Sequence, residues 1–212
     1  ETVPRPSTPP AVLNLLWRNG AEATFFLLGR AAERWPELVG TEISSGMEIG
    51  NHTWNHPHLL SLSPDQVALH VSRTTRELAQ QGAVVALFRP PYGEIETDQL
   101  RSIEDVSGLR VLAWTYVIDH YVGGLGLTPS EAERALSAEI QPGDIVLAHD
   151  AHLLEKDGGG GRTDAMATLR QLVPALRSTG YGITTVSQLL ARGAPVKMQQ
   201  GRWFWQSGPY CP

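Results

Sequence analysis

An α/β fold with a parallel sheet is predicted from three features of the sequence. Short apolar runs bounded by Gly and Pro alternate with stretches of helical period along most of the 212 residues. Most of the runs are apolar at successive positions, as in strands covered on both faces, which is the habit of parallel sheets flanked by helices. Polar residues recur where the runs end, the edge on which parallel α/β folds build sites. A barrel and a doubly wound sheet both satisfy these features.

Thr8-Pro9 can cap and open a helix whose Val12, Leu13, Leu16 and Trp17 share one side, and Gly20 ends it. Strands are then expected at "ATFFLLG", at "MEIGNHT" (47–53), "VVALFRP" (84–90) and "LRVLAWTYV" (109–117), and at "DIVLAHD" (144–150) and "GITTVS" (182–187). Helical stretches separate them at about 30–44, 63–81, 94–106, 128–140 and 164–179. "KDGGGGR", Lys156 to Arg162, reads as a flexible loop. With no fixed-period repeat or interior linker, residues 1–212 are taken as one domain, and the aromatic tail 194–212, with its "RWFW", is expected to pack against it.

Composition narrows the function. Hydrophobic residues make up 42% and charged ones 18%, and no apolar run approaches the roughly 18 residues of a membrane span, so no membrane insertion is expected. The net charge of −5, without a Lys/Arg block, gives no footprint for nucleic acid. Cys211 is the sole cysteine and has no internal partner. Glu1 is not an initiator methionine, so a segment upstream of it is expected.

Four strand exits carry candidate chemistry. "NHTWNH" sets His52 and His56 four residues apart; on a turn of helix both imidazoles reach one metal ion, and otherwise they are two surface histidines. In "RPPYG" the two prolines hold the chain extended and Gly93 permits a sharp turn, presenting Arg89 and the Tyr92 backbone N–H rigidly, or simply making a stiff loop. "IVLAHD" ends a strand on His149, a general acid or a satisfied rim histidine. Trp114, in "VLAWTYVIDH", suits a pocket wall or the core, and Asp119 follows it. His58, His70, His120 and His152 read as surface residues.

Taken in order, "HTWNH", "RPPYG", the Trp114 to Asp119 segment and "IVLAHD" resemble motifs two to five of the polysaccharide deacetylases, carbohydrate esterase family 4. "TPPAVLNLLWRNGAEATFFLLG" resembles the segment after that family's first motif, and "TLRQLVPALRSTGYGITTVSQLL" its closing helix and strand, so the resemblance spans about residues 8–190. It implies a distorted (β/α) barrel of seven strands and metal-dependent removal of acetyl groups from N-acetylglucosamine polymers of chitin or peptidoglycan type, or from xylan. His52 and His56 would bind a divalent metal, usually zinc, with cobalt as a substitute. Tyr92, following Pro91, would offer its N–H to the oxyanion, and His149 would protonate the leaving amine. Leu147 and Trp114 would wall the acetyl pocket. A secreted or envelope location and a monomer are the corresponding expectations.

Two departures qualify the resemblance. The first family motif, which carries the base Asp and the third metal ligand on the first strand, would stand just before Glu1, and Arg89 would pair with that Asp. In the fourth motif, Val117, His120 and Tyr121 occupy the places of two aspartates and a second tryptophan, leaving Asp119 to orient His149. Alternative readings are a noncatalytic glycan-binding protein of the same fold, an acetylxylan esterase and an amidohydrolase acting on small molecules.

Overall fold

The computed structural model describes residues 9–149 and 161–193. Asp150, His152, most of the Gly-rich segment and the aromatic tail lie outside them.

Among the described residues six short strands and eight α-helices follow one another, broadly as the apolar runs predict. Strands β1 (Thr24–Leu27), β2 (Glu48–Asn51), β3 (Leu87–Phe88) and β4 (Arg110–Val111) form one sheet in that order, and β5 (Tyr116–Val117) pairs with β6 (Val146–Leu147) in a second. Every pairing is parallel, so within each sheet the C-terminal strand ends lie on one edge. Among the described residues the two sheets do not join into one closed ladder.

Helix α1 (Pro9–Arg18) buries Val12, Leu13 and Leu16, but Trp17 is 78% exposed. Trp17 sits about 100° around the helix from Leu16, outside the buried stripe. Gly20, at φ 56°, turns the chain so that Ala21 N–H reaches back to the Leu16 carbonyl. The helix expected over 30–44 is two helices, α2 (Gly29–Arg34) and α3 (Pro36–Ser44), because Pro36 has no N–H to continue the ladder and opens a new helix instead. Helix α4 (Pro64–Gln80) starts on a Ser63–Gln66 capping box and α6 (Pro129–Glu139) on the equivalent Thr128–Glu131 pair. Helices α5 (Thr97–Ser107), α7 (Gly161–Ser178) and α8 (Val186–Arg192) complete the cover.

Two strand expectations change. "LRVLAWTYV" is one apolar run but serves two ladders: Leu112 N–H donates to the Phe88 carbonyl beside β3, whereas Thr115 N–H donates to Ile145 beside β6. The run bends between them and counts as β4 and β5. "GITTVS" is not a strand, and Val186 already belongs to α8. Its hydrogen bonds go to the entry of β1 and to side chains, with Glu22 N–H on the Ile183 carbonyl, Val186 N–H on Thr24 Oγ1 and Ser187 N–H on Glu48 Oε2.

The core lies on both faces of the sheets. One cluster packs α1 and α3 on Phe25, Leu27 and Ile49, another gathers Leu59, Val67, Phe88 and Ile103 under α4 and α5, and a third places Ile118 and Tyr121 against Leu136 and Leu172. The Phe26 ring lies across Gly50, its register partner on β2: a Cβ at Gly50 would stand 2.5 Å from Phe26 Cδ1. Since Phe26 is 1% exposed, its ring has nowhere to retreat. Gly50→Ala is therefore expected to lower the free energy of urea unfolding by about 1–3 kcal/mol; an unchanged midpoint would show that the ring moves freely.

Candidate active site

The exit of β2 carries the first part of the site. Instead of opening a helical turn, as the four-residue spacing suggested, the chain from His52 to His56 is an irregular loop with left-handed residues at Thr53 (φ 70°) and His56 (φ 62°). A β-branched residue in that region costs on the order of 1–3 kcal/mol and persists only when its surroundings fix it. They do so here. Asn51 Oδ1 accepts Thr53 N–H at 2.9 Å, and the first amides of α2, Gly29 and Arg30, donate to the Thr53 and Trp54 carbonyls at 3.0 Å each. Thr53 Oγ1 in turn accepts His56 N–H. Trp54 lies against Gly29, where a Cβ would come within 2.4 Å of its ring, and its ring also carries the Arg73 guanidinium at 3.4 Å.

This loop brings the two imidazoles together without a helix, with ring centroids 4.8 Å apart. His52 is fully buried, and its Nδ1 lies 2.7 Å from the Arg89 carbonyl. A carbonyl only accepts, so Nδ1 carries the proton and Nε2 keeps its lone pair, the tautomer in which a histidine binds a metal. The donor chemistry of His52 and His56 therefore fits a divalent ion. Catalytic zinc sites take three protein ligands, and among the described residues no group of three His, Cys, Asp or Glu comes together.

Asn51 holds this loop from below. Fully buried, it donates through Nδ2 to the Val71 carbonyl at 2.8 Å and to Thr75 Oγ1 at 2.9 Å on α4, while its Oδ1 fixes Thr53. Asn51→Ala removes all three bonds. The expected loss is about 1–3 kcal/mol of stability, with weaker metal uptake in equilibrium dialysis because the loop no longer holds both imidazoles; full uptake would dissociate Asn51 from the site.

The exit of β3 supplies "RPPYG". Pro90 is extended as expected, but the turn starts one residue earlier than Gly93: Tyr92 itself has φ 58°, and Gly93 follows at 69°. Arg89 is 4% exposed, with its guanidinium 4.0 Å over the Phe26 ring and 5.7 Å from Trp114. Trp114 is 9% exposed and leaves only 3.1 Å to a Cβ at Gly93. The Tyr92 ring meets the edge of His56 at 4.5 Å and stacks on His58 at 4.0 Å. His52, His56, Arg89, Tyr92 and Trp114 thus form one cluster.

The exits of β5 and β6 hold a second pair. His149 Nδ1 lies 2.8 Å from Asp119 Oδ2, both side chains roughly one-fifth exposed. Asp119 is placed by the π-type turn of residues 120–124 behind it, where the buried Tyr121 phenol donates to Glu139 Oε2 of α6 at 2.5 Å. Burial, and then that bond, push the Tyr121 phenol above its ordinary pKa, so it stays a donor. Leu147, on β6 opposite Val117, is 3% exposed. Sequence spacing alone did not reveal Gly29, Phe26, Asn51 or His58. The last is exposed, as expected, but its ring stacks on Tyr92, whereas His70 and His120 are partly buried.

A family model described as polysaccharide deacetylase matches residues 2–112. The chain belongs to the polysaccharide deacetylase family. Among curated members it is 32% identical over 187 residues to a peptidoglycan-N-acetylglucosamine deacetylase of Bacillus cereus, covering 88% of this chain and 84% of that one. It is also 32% identical to a chitooligosaccharide deacetylase of Azorhizobium caulinodans, covering 85% and 87%. A family 4 carbohydrate esterase from Streptomyces lividans, solved in complex with acetate, superposes with a TM-score of 0.71 at 30% identity, covering 85% of this chain and 86% of that one. The α/β architecture here is the fold of these deacetylases.

Proposed function

We propose that the chain is a metal-dependent N-deacetylase of N-acetylglucosamine-containing glycans of chitooligosaccharide or peptidoglycan type, acting outside the cytoplasm. The observation that carries it is the His149–Asp119 contact at 2.8 Å. The fourth motif departs from the family pattern, yet its one nearby carboxylate still reaches the histidine an acid catalyst needs. Family membership and the peptidoglycan and chitooligosaccharide deacetylases among the relatives support the substrate class.

His52 and His56 would hold the divalent ion, zinc by donor type. When bound, such an ion supplies Lewis acidity toward an acyl oxygen. Leu147 and Trp114, both buried, would supply the apolar walls that an acetyl methyl needs. As a water molecule adds to the acetamide carbon and gives its proton to a general base, the carbon becomes tetrahedral and the Tyr92 N–H, in its left-handed turn, donates to the oxyanion. Asp119 accepts the Nδ1 proton of His149, so Nε2 faces the reaction with the second proton of an imidazolium that the carboxylate favours. Nε2 gives that proton to the departing sugar nitrogen. Arg89, buried among Phe26 and Trp114, places a fixed positive charge beside the cluster.

The test is acetate release from chitooligosaccharides and from peptidoglycan, with metal analysis of the same protein carrying its natural N-terminal sequence. Acetate with a stoichiometric divalent ion supports the reading. Bound glycan with neither acetate nor metal would assign noncatalytic glycan binding instead.

A further inference from the structure

We propose that His58 and Glu94 form a subsite for a neutral pyranose next to the reacting N-acetylglucosamine, with the outer face of the His58 ring as its floor. The inference deepens the deacetylase reading above and rests on it for the identity of the sugar chain.

Of the described rings around the site, Trp114 is buried and Trp54 carries the Arg73 guanidinium. His58 differs. One face of its imidazole lies flat on Tyr92, centroids 4.0 Å apart and planes within 6°, yet its side chain is 62% exposed, so the open area is the opposite face and the rim. A flat aromatic face in contact with water suits a pyranose, whose axial C–H groups form an apolar patch of similar size. Two ring-to-ring steps, 4.0 Å to Tyr92 and 4.5 Å from there to His56, connect His58 to the candidate metal ligand. That is within the span of a short oligosaccharide, so one chain can reach both.

The platform is held from the interior. The His58 carbonyl accepts Ser61 Oγ at 2.6 Å and Ser61 N–H at 3.1 Å, closing the tight turn Leu59–Ser61 behind it. Beneath that turn Gln99 of α5, 2% exposed, donates through Nε2 to the Leu59 carbonyl at 2.6 Å and the Leu62 carbonyl at 2.9 Å, while its Oε1 accepts Glu96 N–H. A buried amide thus fixes a segment that the chemistry at the metal does not use. A ring held in place beforehand loses less freedom when a sugar settles on it.

Glu94 supplies the polar part. Its Oε2 lies 3.5 Å from His58 Nδ1, and its side chain is 32% exposed, so the carboxylate keeps lone pairs to accept a sugar hydroxyl. The same negative charge disfavours a sugar with a carboxylate of its own. The subsite therefore suits an N-acetylglucosamine unit of a chitooligosaccharide better than the carboxylate-bearing sugar of peptidoglycan.

The experiment compares H58A, H58W and E94Q with the parent enzyme, carrying its natural N-terminal sequence, in acetate release. H58A is expected to raise KM for chitotetraose about 3- to 10-fold, with kcat, metal content and kcat/KM for N-acetylglucosamine itself unchanged, the pattern of lost uniform binding. H58W, with a larger flat face, should keep KM at or below the parent value. E94Q should lower KM for a peptidoglycan tetrasaccharide relative to that for chitotetraose. An unchanged KM in H58A, an equal loss on the monosaccharide, or an H58W as weak as H58A would overturn the platform; an unaltered KM ratio in E94Q would remove Glu94 from it. Titration of chitotetraose into H149A, and into H149A carrying H58A, reads the same contact without appreciable turnover, the second binding more weakly by the same factor. If the parent releases no acetate, the deacetylase reading fails while this titration still decides whether His58 holds a sugar.

Discussion

His149→Ala should cut kcat for deacetylation by roughly 10²- to 10⁴-fold, the range a positioned acid or base contributes, and leave bound metal at the parent level. The separation follows from the geometry. His149 makes its 2.8 Å contact with Asp119, at the exits of β5 and β6, while the paired imidazoles of His52 and His56 stand at the exit of β2. The side chain is only about one-fifth exposed, so truncation also costs some stability, and kcat and metal content are compared on folded protein. Asp119→Asn should fall between parent and His149→Ala, because an amide can still orient the ring but no longer favours the imidazolium. Metal lost together with activity in His149→Ala would show that this histidine is a ligand and not the acid.

His52→Ala is expected to do the opposite, removing metal first and activity as a consequence. Losing only an outer partner of a ligand costs about 10- to 100-fold in affinity, and loss of the ligand itself should exceed that. Because His52 is fully buried and its Nδ1 bonds the Arg89 carbonyl, its truncation also removes a buried hydrogen bond and costs about 1–3 kcal/mol of stability. His56→Ala, at a partly exposed position, separates the two effects: metal uptake falls with less harm to the fold. Added zinc stabilises a protein that binds it only when folded. It should therefore raise the Tm of the parent and leave both variants unmoved. A parent-like zinc response in His56→Ala would remove that residue from the donor set.

The long apolar runs made the α/β class legible, since residues such as Phe25 to Leu28 are buried on both faces and carry no other period. What they could not show was how hydrogen bonds are shared: whether 109–117 feeds one ladder or two depends on Ile145 and Phe88, far away in sequence. The motif residues His52, His56, Arg89 and Tyr92 were legible because each follows a strand. Their supports were not. Asn51, Gly29 and Phe26 look like ordinary strand or turn residues, and their roles arise from pairing with Thr53, Trp54 and Arg89 across the fold. The helical reading of "NHTWNH" failed for a related reason, since spacing does not reveal that α2 lends its first two amides to stabilise a left-handed path.

Buried Asn51 has a consequence for production of the protein. Asn51-His52-Thr53 satisfies the Asn-x-Thr pattern for N-linked glycosylation, yet in the folded chain its amide nitrogen is enclosed within 2.9 Å of Val71 and Thr75. A bulky sugar attached there while the chain is still unfolded cannot be accommodated beside α4. A eukaryotic secretory host would thus divide the product between chains that fold before modification and chains that modification keeps from folding, a partition that a bacterial host without the pathway does not impose.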